Sequence, residues 1–252
     1  MIDLEHRGDI AVLTMRHGKA NAMDGTFCDD LIKRLDELRT SPARAIVITG
    51  QGKIFSAGVD LVRALDGGPD YFRHFLPPLR RAFEEVFFYE KPIVVAVNGH
   101  AIAGGCVLTC TADQRLMAQG DGRIGITELL VGVPFPVIAL EIMRFAATPQ
   151  HFQRIVTSGA TFAPGEAVGL GLIDEVVPPE ALLDRAVAAA AKLAALGAEA
   201  FALTKRQMRQ AVRERLDKDG PRFDPAVDAI WYAPETAARI RDYVARTFKK
   251  MG

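Results

Sequence analysis

The chain has 252 residues, and its 31 basic and 31 acidic side chains give a formal net charge of zero. A chain without excess charge has no bulk attraction to nucleic acid or to an anionic membrane, so we expect neither as a partner. Hydrophobic residues make up 49% and charged residues 25%, the balance of a globular protein with one large domain. The 3 cysteines cannot all pair, and the charged stretch MIDLEHRGD lacks the apolar segment of a signal peptide. We therefore expect a soluble, cytoplasmic protein without a membrane-spanning helix.

Strands and helices are predicted to alternate along the first half of the chain. The predicted strands cover 2–5, 10–15, 45–49, 93–98 and 113–118. The predicted helices cover 24–40, with Asp24 as its cap, 79–88, and a segment that begins at Gly104 and Gly105. The glycines and prolines of 66–78 predict a mobile, partly helical excursion. This alternation indicates right-handed crossovers and a mainly parallel sheet.

The pattern becomes helical after about residue 135. Thr148 and Pro149 resemble a helix start with proline at the first helical position. Further helices are predicted over 181–196, 199–216 and 237–248. We therefore divide the chain into an α/β core, residues 1–195, and a helical C-terminal region, residues 196–252, that packs on the core or on another subunit.

Several common catalytic motifs are absent from the sequence. Ser56 lies in IFSAG, which lacks the first glycine of a nucleophile elbow. GKIFSAG and HGKANA do not have phosphate-loop spacing, and GLGLID lacks the third glycine of a dinucleotide fingerprint. The 5 histidines are scattered, with none at metal-ligand spacing. We therefore expect no metal and no separate cofactor.

Two glycine-containing turns each follow a predicted buried strand. The first is FSAGVDL (55–61), and the second is NGHAIAGGCVLTC (98–110). Free backbone N–H groups at strand ends and helix starts bind negatively charged oxygen atoms. Two such donors that converge from different turns would form an oxyanion hole, whereas either turn alone is more typical of an ordinary tight turn.

These segments resemble the crotonase, or enoyl-CoA hydratase/isomerase, superfamily. FSAGVDL is similar to its F-x-A-G-x-D-[LI] motif, and NGHAIAGGCVLTCTADQRLM to its N-G-x-A-x-G-G-[GC] helix. ITELLVGVPF (126–135) resembles the segment that carries a catalytic glutamate, and FAPGEAVGLGLIDEVV (162–177) a later family stretch. The resemblance covers nearly the whole chain in order. It implies an α/β spiral of ββα repeats, acyl-CoA thioester substrates, and trimers or hexamers with C-terminal helices at subunit contacts.

The resemblance also implies roles for individual residues. The backbone N–H groups of Val59 and Gly104 match the oxyanion hole for the thioester carbonyl. Glu128 matches a catalytic glutamate, and its apolar neighbours would raise its pKa, as suits a general base. Asp60 and Asp113 match positions that support loops by hydrogen bonding. The candidate substrate-binding residues are Lys19, Ala20, Ala57, Asp60, Leu61, Gly105, Val107, Leu130 and Phe135.

Val107 is the departure that indicates the reaction. Hydratases of the superfamily typically carry a glutamate three residues after the oxyanion-hole glycine, and Val107 occupies that position here. Hydration is best served by two carboxylates, whereas moving a double bond from C3 to C2 needs one. GGCVLTCTAD also resembles the corresponding stretch of mitochondrial-type Δ3,Δ2-enoyl-CoA isomerases. We therefore expect an isomerase with Glu128 as its base.

Other readings remain open on the sequence alone. Glu128 alone would support hydration, and Asp66, Asp70 or His74 would serve another thioester reaction, such as hydrolysis or decarboxylation. A CoA-binding or RNA-binding protein without catalysis is a further class. Two interpretations are equally consistent with a set of aromatic and aliphatic residues: they line an acyl pocket, or they belong to the core. These residues are Leu61, Phe72, Phe75, Leu130 and Phe135. Trp231 and Tyr232 cap that pocket or pack between subunits.

Overall fold

Two sheets form the centre of the chain in this computed structural model, which describes residues 1–248. The first sheet has six strands in the order β1-β2-β3-β5-β7-β9, and the second has three in the order β4-β6-β8. The strands are β1 Ile2–Arg7, β2 Ile10–Met15, β3 Ala45–Gly50, β4 Ile54–Ser56, β5 Ile93–Val97, β6 His100–Ile102, β7 Gln114–Ala118, β8 Ile124–Gly125 and β9 Glu175–Val177. Only the β1–β2 hairpin is antiparallel among these pairings, which confirms the mainly parallel sheet.

Ten α-helices alternate with or follow the strands within residues 1–248. They are α1 Gly25–Arg39, α2 Leu61–Phe87, α3 Gly104–Cys110, α4 Glu128–Val131, α5 Val137–Ala146, α6 Pro149–Ser158, α7 Pro164–Gly169, α8 Leu182–Ala194, α9 Ala198–Tyr232 and α10 Pro234–Phe248. A short 3₁₀ turn, Pro179–Ala181, precedes α8. Three successive ββα repeats are β3-β4-α2, β5-β6-α3 and β7-β8-α4. Each repeat contributes one strand to each sheet. This is the expected spiral of ββα repeats.

The two faces of β5 explain why the first sheet is covered on both sides. Its side chains alternate, as the two-residue period of a strand requires. Ile93, Val95 and Val97 join the larger core cluster on the side of α1 to α5, whereas Val94 and Ala96 join a smaller cluster against α8. All five are inaccessible to solvent. A parallel strand that is buried on both faces has a continuous run of apolar residues in its sequence. The run IVVAV predicted β5 for this reason.

Residues 66–78, predicted as a mobile, partly helical excursion, are helical as part of α2 and do not form a separate excursion. The helix is interrupted only at Gly68, whose φ of 64° is outside the helical region, and Pro69 opens the second helical stretch. Phe72, Phe75 and Leu76 are buried at helical spacing, and this burial outweighs the loss of backbone N–H donors at the later prolines.

The helix predicted over 199–216 is also longer than expected. It extends to Tyr232 and contains Pro221 and Pro225. Val227 and Trp231 are buried four residues apart beyond these prolines, so packing of one face maintains the helix there. Helices α9 and α10 pack on α2, and α9 also packs on α5. Residues 249–252 of the predicted C-terminal region lie outside the described residues, and the proposed division at residue 195 stays a prediction.

Membrane-spanning potential is weak across residues 1–248. No single helix there is long and apolar enough to cross a bilayer. One pair of consecutive helical segments, Pro179–Ala194 and Ala198–Tyr232, is together long and apolar enough to cross a bilayer. The two segments are bent by 100° at the break between them.

Candidate active site

The turn after β4 holds Val59 with its backbone N–H free. Met23 pairs with Val59 as an isolated parallel bridge. The Met23 N–H donates to the Gly58 carbonyl at 2.7 Å, and the Asp60 N–H donates to the Met23 carbonyl at 2.9 Å. These bonds use the Gly58 carbonyl and the Asp60 N–H, the backbone groups that flank Val59. The Val59 N–H itself donates no hydrogen bond within residues 1–248. The bridge therefore fixes the direction of an unused donor.

The start of α3 lies directly beside this turn. A Cβ on Gly58 would lie 3.0 Å from the Gly104 nitrogen, and Gly58 has a φ of 80°, which favours glycine. Ala103 has a φ of 52°, an uncommon value for a residue with a side chain, and it turns the chain into α3. The Gly104 N–H, like that of Val59, has no acceptor in the part of the chain that the structure describes. Two free donors thus lie in adjacent segments, as an oxyanion hole requires.

A small cavity of about 70 Å³ adjoins both donors. Its lining is apolar except for a few groups. The lining residues are Ala57, Val59, Leu61, Leu79, Phe83, Ile102, Ala103, Gly104, Val107, Thr127, Glu128, Val131, Val133, Phe135, Pro136, Ala139, Trp231 and Tyr243. Glu128 is the one carboxylate in this set.

Glu128 is placed by the start of α4. It is the first residue of this single helical turn, and Thr127 precedes it as the cap. Its Oε2 atom is inaccessible to solvent and has no hydrogen-bond partner among the described residues. Burial raises the pKa of Glu128 to about 7, although backbone N–H groups of Glu128 and Thr127 partly oppose this. A carboxylate that is free to accept a proton, with a pKa near neutrality, has the properties of a general base.

Val107 lies on α3, one turn after the Gly104 donor. It is 1% exposed and lines the same cavity as Glu128. A valine side chain neither donates nor accepts hydrogen bonds, so it does not hold a water molecule opposite Glu128. The cavity therefore combines one base with an apolar wall.

The structure places four other predicted substrate-binding residues in or near this cavity. Ala57, Leu61 and Phe135 line it. Ala20 lies beside it, because its carbonyl accepts a hydrogen bond from the Ala57 N–H at 3.0 Å. Lys19 is exposed on the neighbouring loop. The N-terminal loop that carries Lys19 and Ala20 is therefore hydrogen-bonded to the turn after β4.

Asp60, Gly105 and Asp113 have supporting positions. Asp60 caps α2 by accepting from the Arg63 N–H at 3.0 Å. Gly105 packs against Ser56, where a side chain would collide with the Ser56 backbone. Asp113 accepts from the Ile93 N–H at 2.8 Å and pairs with Lys205 and Arg209 of α9, so it attaches the C-terminal helices to the sheet.

Leu130 does not line the cavity, contrary to the expectation from sequence. It is 56% exposed and contacts Gly159. On a helix, residues two positions apart point in different directions, whereas residues three apart share a face. Because Glu128 faces the cavity, Val131 faces it too, and Leu130 points away.

Asp66, Asp70 and His74 also lie outside the cavity lining. All three are exposed on α2. Phe72 and Phe75, in contrast, belong to the hydrophobic core. Within residues 1–248, no group of three or more His, Cys, Asp or Glu side chains is arranged to hold a metal ion.

Two aromatic residues of the C-terminal helices complete the cavity. Trp231 donates from Nε1 to the Pro134 carbonyl at 3.1 Å, and Tyr243 comes from α10. The sequence suggested Trp231 as a possible cap, but it offered no signal for Tyr243. Residues more than 100 positions from the glycine turns reach the site only through tertiary packing.

Comparisons with known proteins identify the family of this chain. Residues 5–221 match the family described as "Enoyl-CoA hydratase/isomerase". A protein named putative enoyl-CoA hydratase from Thermus thermophilus is 34% identical over 211 residues, which cover 81% of this chain and 82% of the relative. The rat protein named enoyl-CoA delta isomerase 1, mitochondrial, is 27% identical over 86% of this chain and 76% of its own length.

A solved structure extends the likeness to the C-terminal helices. The crystal structure of human mitochondrial delta3-delta2-enoyl-CoA isomerase superposes with a TM-score of 0.94 at 25% identity, covering 100% of this chain and 99% of that one. The α/β spiral and these matches place the chain in the crotonase class of enzymes. This chain belongs to the enoyl-CoA hydratase/isomerase family.

Proposed function

We propose that this enzyme converts 3-enoyl-CoA thioesters to 2-enoyl-CoA thioesters. One observation carries the proposal: Glu128, with its unpartnered Oε2, is the single carboxylate lining the cavity beside the two free N–H groups. The reaction needs one group that removes a proton and returns it elsewhere. A second carboxylate would be expected if a water molecule had to be oriented as well.

The proposed reaction begins with the thioester carbonyl oxygen between the N–H groups of Val59 and Gly104. Glu128 removes a proton from C2, and the electrons of that C–H bond form a dienolate whose negative charge rests on the carbonyl oxygen. The two N–H groups stabilise this charge where it develops. The protonated Glu128 then returns the proton to C4, and the double bond forms between C2 and C3.

The electrostatics of the cavity support this sequence of steps. A base with a pKa of about 7 is ionised in a large fraction of molecules at neutral pH and, once protonated, is acidic enough to return its proton. Val107 and the other apolar residues around it exclude a competing nucleophile. A proton held by Glu128 therefore has the substrate as its nearest acceptor.

Hydration of 2-enoyl-CoA is the second candidate. The relative from Thermus thermophilus that is 34% identical carries the name putative enoyl-CoA hydratase. Glu128 would then activate a water molecule without a partner carboxylate. We place this reaction second because Val107 offers that water no hydrogen bond.

The CoA portion of the substrate is proposed to enter beside Lys19 and Ala20. An exposed lysine there suits a phosphate-bearing ligand, and CoA is part of the substrate rather than a separate cofactor. We also propose a homotrimer or a pair of trimers. Exposed apolar side chains support such contacts, namely Leu196 just before α9 and Leu203 and Met208 on α9.

Parallel assays of hex-3-enoyl-CoA isomerisation and hex-2-enoyl-CoA hydration test the proposal. We expect isomerisation to exceed hydration in kcat/KM by at least about a hundredfold, the contribution typical of a well-placed acid–base group. Hydration as fast as isomerisation would favour the second candidate. Absence of both reactions would reject both.

A further inference from the structure

Trp231 separates two cavities. On one side is the cavity of about 70 Å³ that contains Glu128, and on the other is a cavity of about 250 Å³ between α2 and the start of α10. Of the described residues, Trp231 is the only one that lines both. Its indole ring is therefore the partition between the reacting groups and the outer space.

The partition is held firmly in place. Trp231 is 4% exposed, and its Nε1 donates to the Pro134 carbonyl at 3.1 Å. On its other side it packs against Phe72, with 5.2 Å between the ring centroids. A hydrogen bond at one edge and an aromatic contact at one face leave a buried indole little freedom to turn aside.

The inner cavity is too small for a long hydrocarbon chain. Its volume of about 70 Å³ leaves room for only a few carbon atoms. The atoms of a thioester and the first few carbons would fill it. A longer chain would have to pass the position that the Trp231 ring occupies.

The outer cavity has the lining that a hydrocarbon chain prefers. Most of its wall is apolar, including Ala64, Leu65, Pro69, Phe72, Pro234 and Ala237. The break in α2 at Gly68 contributes to the space, because a Cβ at that glycine would meet nothing within 4 Å. Trp231 contributes to the walls of both cavities, so its truncation is expected to join the two spaces.

We propose that Trp231 limits acyl-chain length, so that the enzyme acts on short-chain acyl-CoA thioesters. This inference rests on the proposed function, since it assumes that the acyl group lies in the cavity with Glu128. Trp231 acts here as a specificity determinant and takes no part in proton transfer.

The test is the affinity of saturated acyl-CoA thioesters, which bind without reacting. Butanoyl-, hexanoyl-, decanoyl- and dodecanoyl-CoA are titrated into the native protein and into Trp231→Ala. We expect the native protein to bind hexanoyl-CoA at least about tenfold more tightly than dodecanoyl-CoA. In Trp231→Ala, we expect the dodecanoyl-CoA affinity to rise at least about tenfold, because each newly buried methylene favours binding.

Three further variants separate the partition from a general loss of structure. Trp231→Leu keeps a buried apolar side chain and is expected to shift the profile in the same direction as Trp231→Ala. Trp231→Phe keeps a ring but loses the hydrogen bond to Pro134, and we expect it to retain the preference for short chains. Tyr232→Ala is the matched control, because Tyr232 lines only the outer cavity. We expect it to leave the ratio of hexanoyl-CoA to dodecanoyl-CoA affinity unchanged.

Two results would overturn the inference. One is a native protein that binds dodecanoyl-CoA as tightly as hexanoyl-CoA, and the other is an unchanged affinity ratio in both Trp231→Ala and Trp231→Leu. Failure of the proposed function is a separate result, because it concerns turnover of 3-enoyl-CoA and not affinity for saturated thioesters.

Discussion

Gly105 lies so close to Ser56 that the backbones of β4 and α3 are in direct contact. A Cβ built on Gly105 would lie 2.9 Å from the Ser56 Cβ and closer still to the Ser56 carbonyl oxygen. Ser56 ends the strand before the Val59 turn, and Gly105 is the second residue of α3. This contact therefore sets the separation of the two proposed oxyanion-hole donors.

Gly105→Ala is expected to disrupt this contact. The added methyl group would push α3 away from β4, at a cost in unfolding free energy of about 1–3 kcal/mol. We also expect a fall in kcat of at least about tenfold, because the Gly104 N–H moves with α3. Urea unfolding and steady-state turnover of hex-3-enoyl-CoA measure the two effects.

Gly104→Ala provides the comparison for unfolding. A Cβ there would meet the Met23 Sδ at 3.0 Å, and a thioether adjusts more readily than a backbone carbonyl. We expect its stability loss to be less than half that of Gly105→Ala. Equal losses in the two variants would show that the Ser56 contact does not set this geometry.

Asp24 is predicted to stabilise the loop that carries Met23. Its side chain, 2% exposed, accepts from the Phe27 N–H at 2.8 Å and contacts His17 at 3.0 Å and also Arg63. Burial alone would raise the pKa of Asp24, but the Phe27 N–H and these basic groups outweigh it and lower the pKa. Asp24→Asn keeps a helix cap and loses the charge, so we expect a stability loss of about 1–2 kcal/mol at pH 7.

The pH dependence of this loss identifies its cause. A carboxylate with a lowered pKa stabilises the folded state above its unfolded pKa, and the effect disappears as pH falls through the folded pKa. The difference between native protein and Asp24→Asn should therefore shrink in acid. Asp24→Ala, which also removes the cap, should lose about 1 kcal/mol more at every pH. A difference between native and Asp24→Asn that is independent of pH would contradict the role of the charge.

Val107→Glu is expected to introduce hydration activity. A carboxylate at this position would face the cavity and provide the second acceptor that a water molecule needs. We expect the ratio of hydration to isomerisation in kcat/KM to rise at least about tenfold, as addition of an acid–base group allows. Val107→Gln is the control, because it has a similar shape but accepts no proton. An equal gain in both variants would mean that polarity, and not a second base, permits hydration.

The pKa of Glu128 predicts the pH profile of the enzyme. Because the base must be ionised, kcat/KM should rise about tenfold per pH unit below pH 7 and level off above it. An ordinary glutamate would reach its plateau more than two pH units lower. Steady-state kinetics from pH 5 to 9 measure the profile, and a plateau that begins at pH 5 would contradict the buried, unpartnered state of this carboxylate.

Stability should change with pH in the opposite direction to activity. The folded protein holds the Glu128 proton more tightly than the unfolded chain does. The stabilisation is complete below pH 4.5 and is lost as pH rises through about 7. Relative to Glu128→Gln, the native protein should therefore lose on the order of 3 kcal/mol across that interval.

Much of the site could be predicted from sequence because it is made of local segments. The turn at Val59 and the start of α3 are each specified by a few adjacent residues, and the backbone supplies their chemistry. The resemblance of ITELLVGVPF to a family segment pointed to Glu128, which lines the cavity. The error at Leu130 came from treating neighbours in sequence as neighbours in space. A single helical turn places Glu128 and Leu130 on different sides.

The distant parts of the site had no comparable signal. Tyr243 reaches the cavity because α10 packs on α2 and α4, and nothing within α10 distinguishes it from any amphipathic helix. The prolines of α2 and α9 were misleading for a related reason. Burial of Phe72 and Phe75 on α2, and of Val227 and Trp231 on α9, outweighed local preferences that would otherwise end a helix. Local rules therefore located the turns at Val59 and Gly104 but not the distant residues of the cavity lining.

The most direct test of the account is the turnover number of Glu128→Gln with hex-3-enoyl-CoA. Glutamine preserves the shape of the side chain but does not accept the C2 proton, so we expect kcat to fall by about a thousandfold or more. Affinity for saturated hexanoyl-CoA should stay within about threefold of the native value, which shows that the cavity is intact. A kcat within about tenfold of native, with that affinity unchanged, would contradict Glu128 as the base.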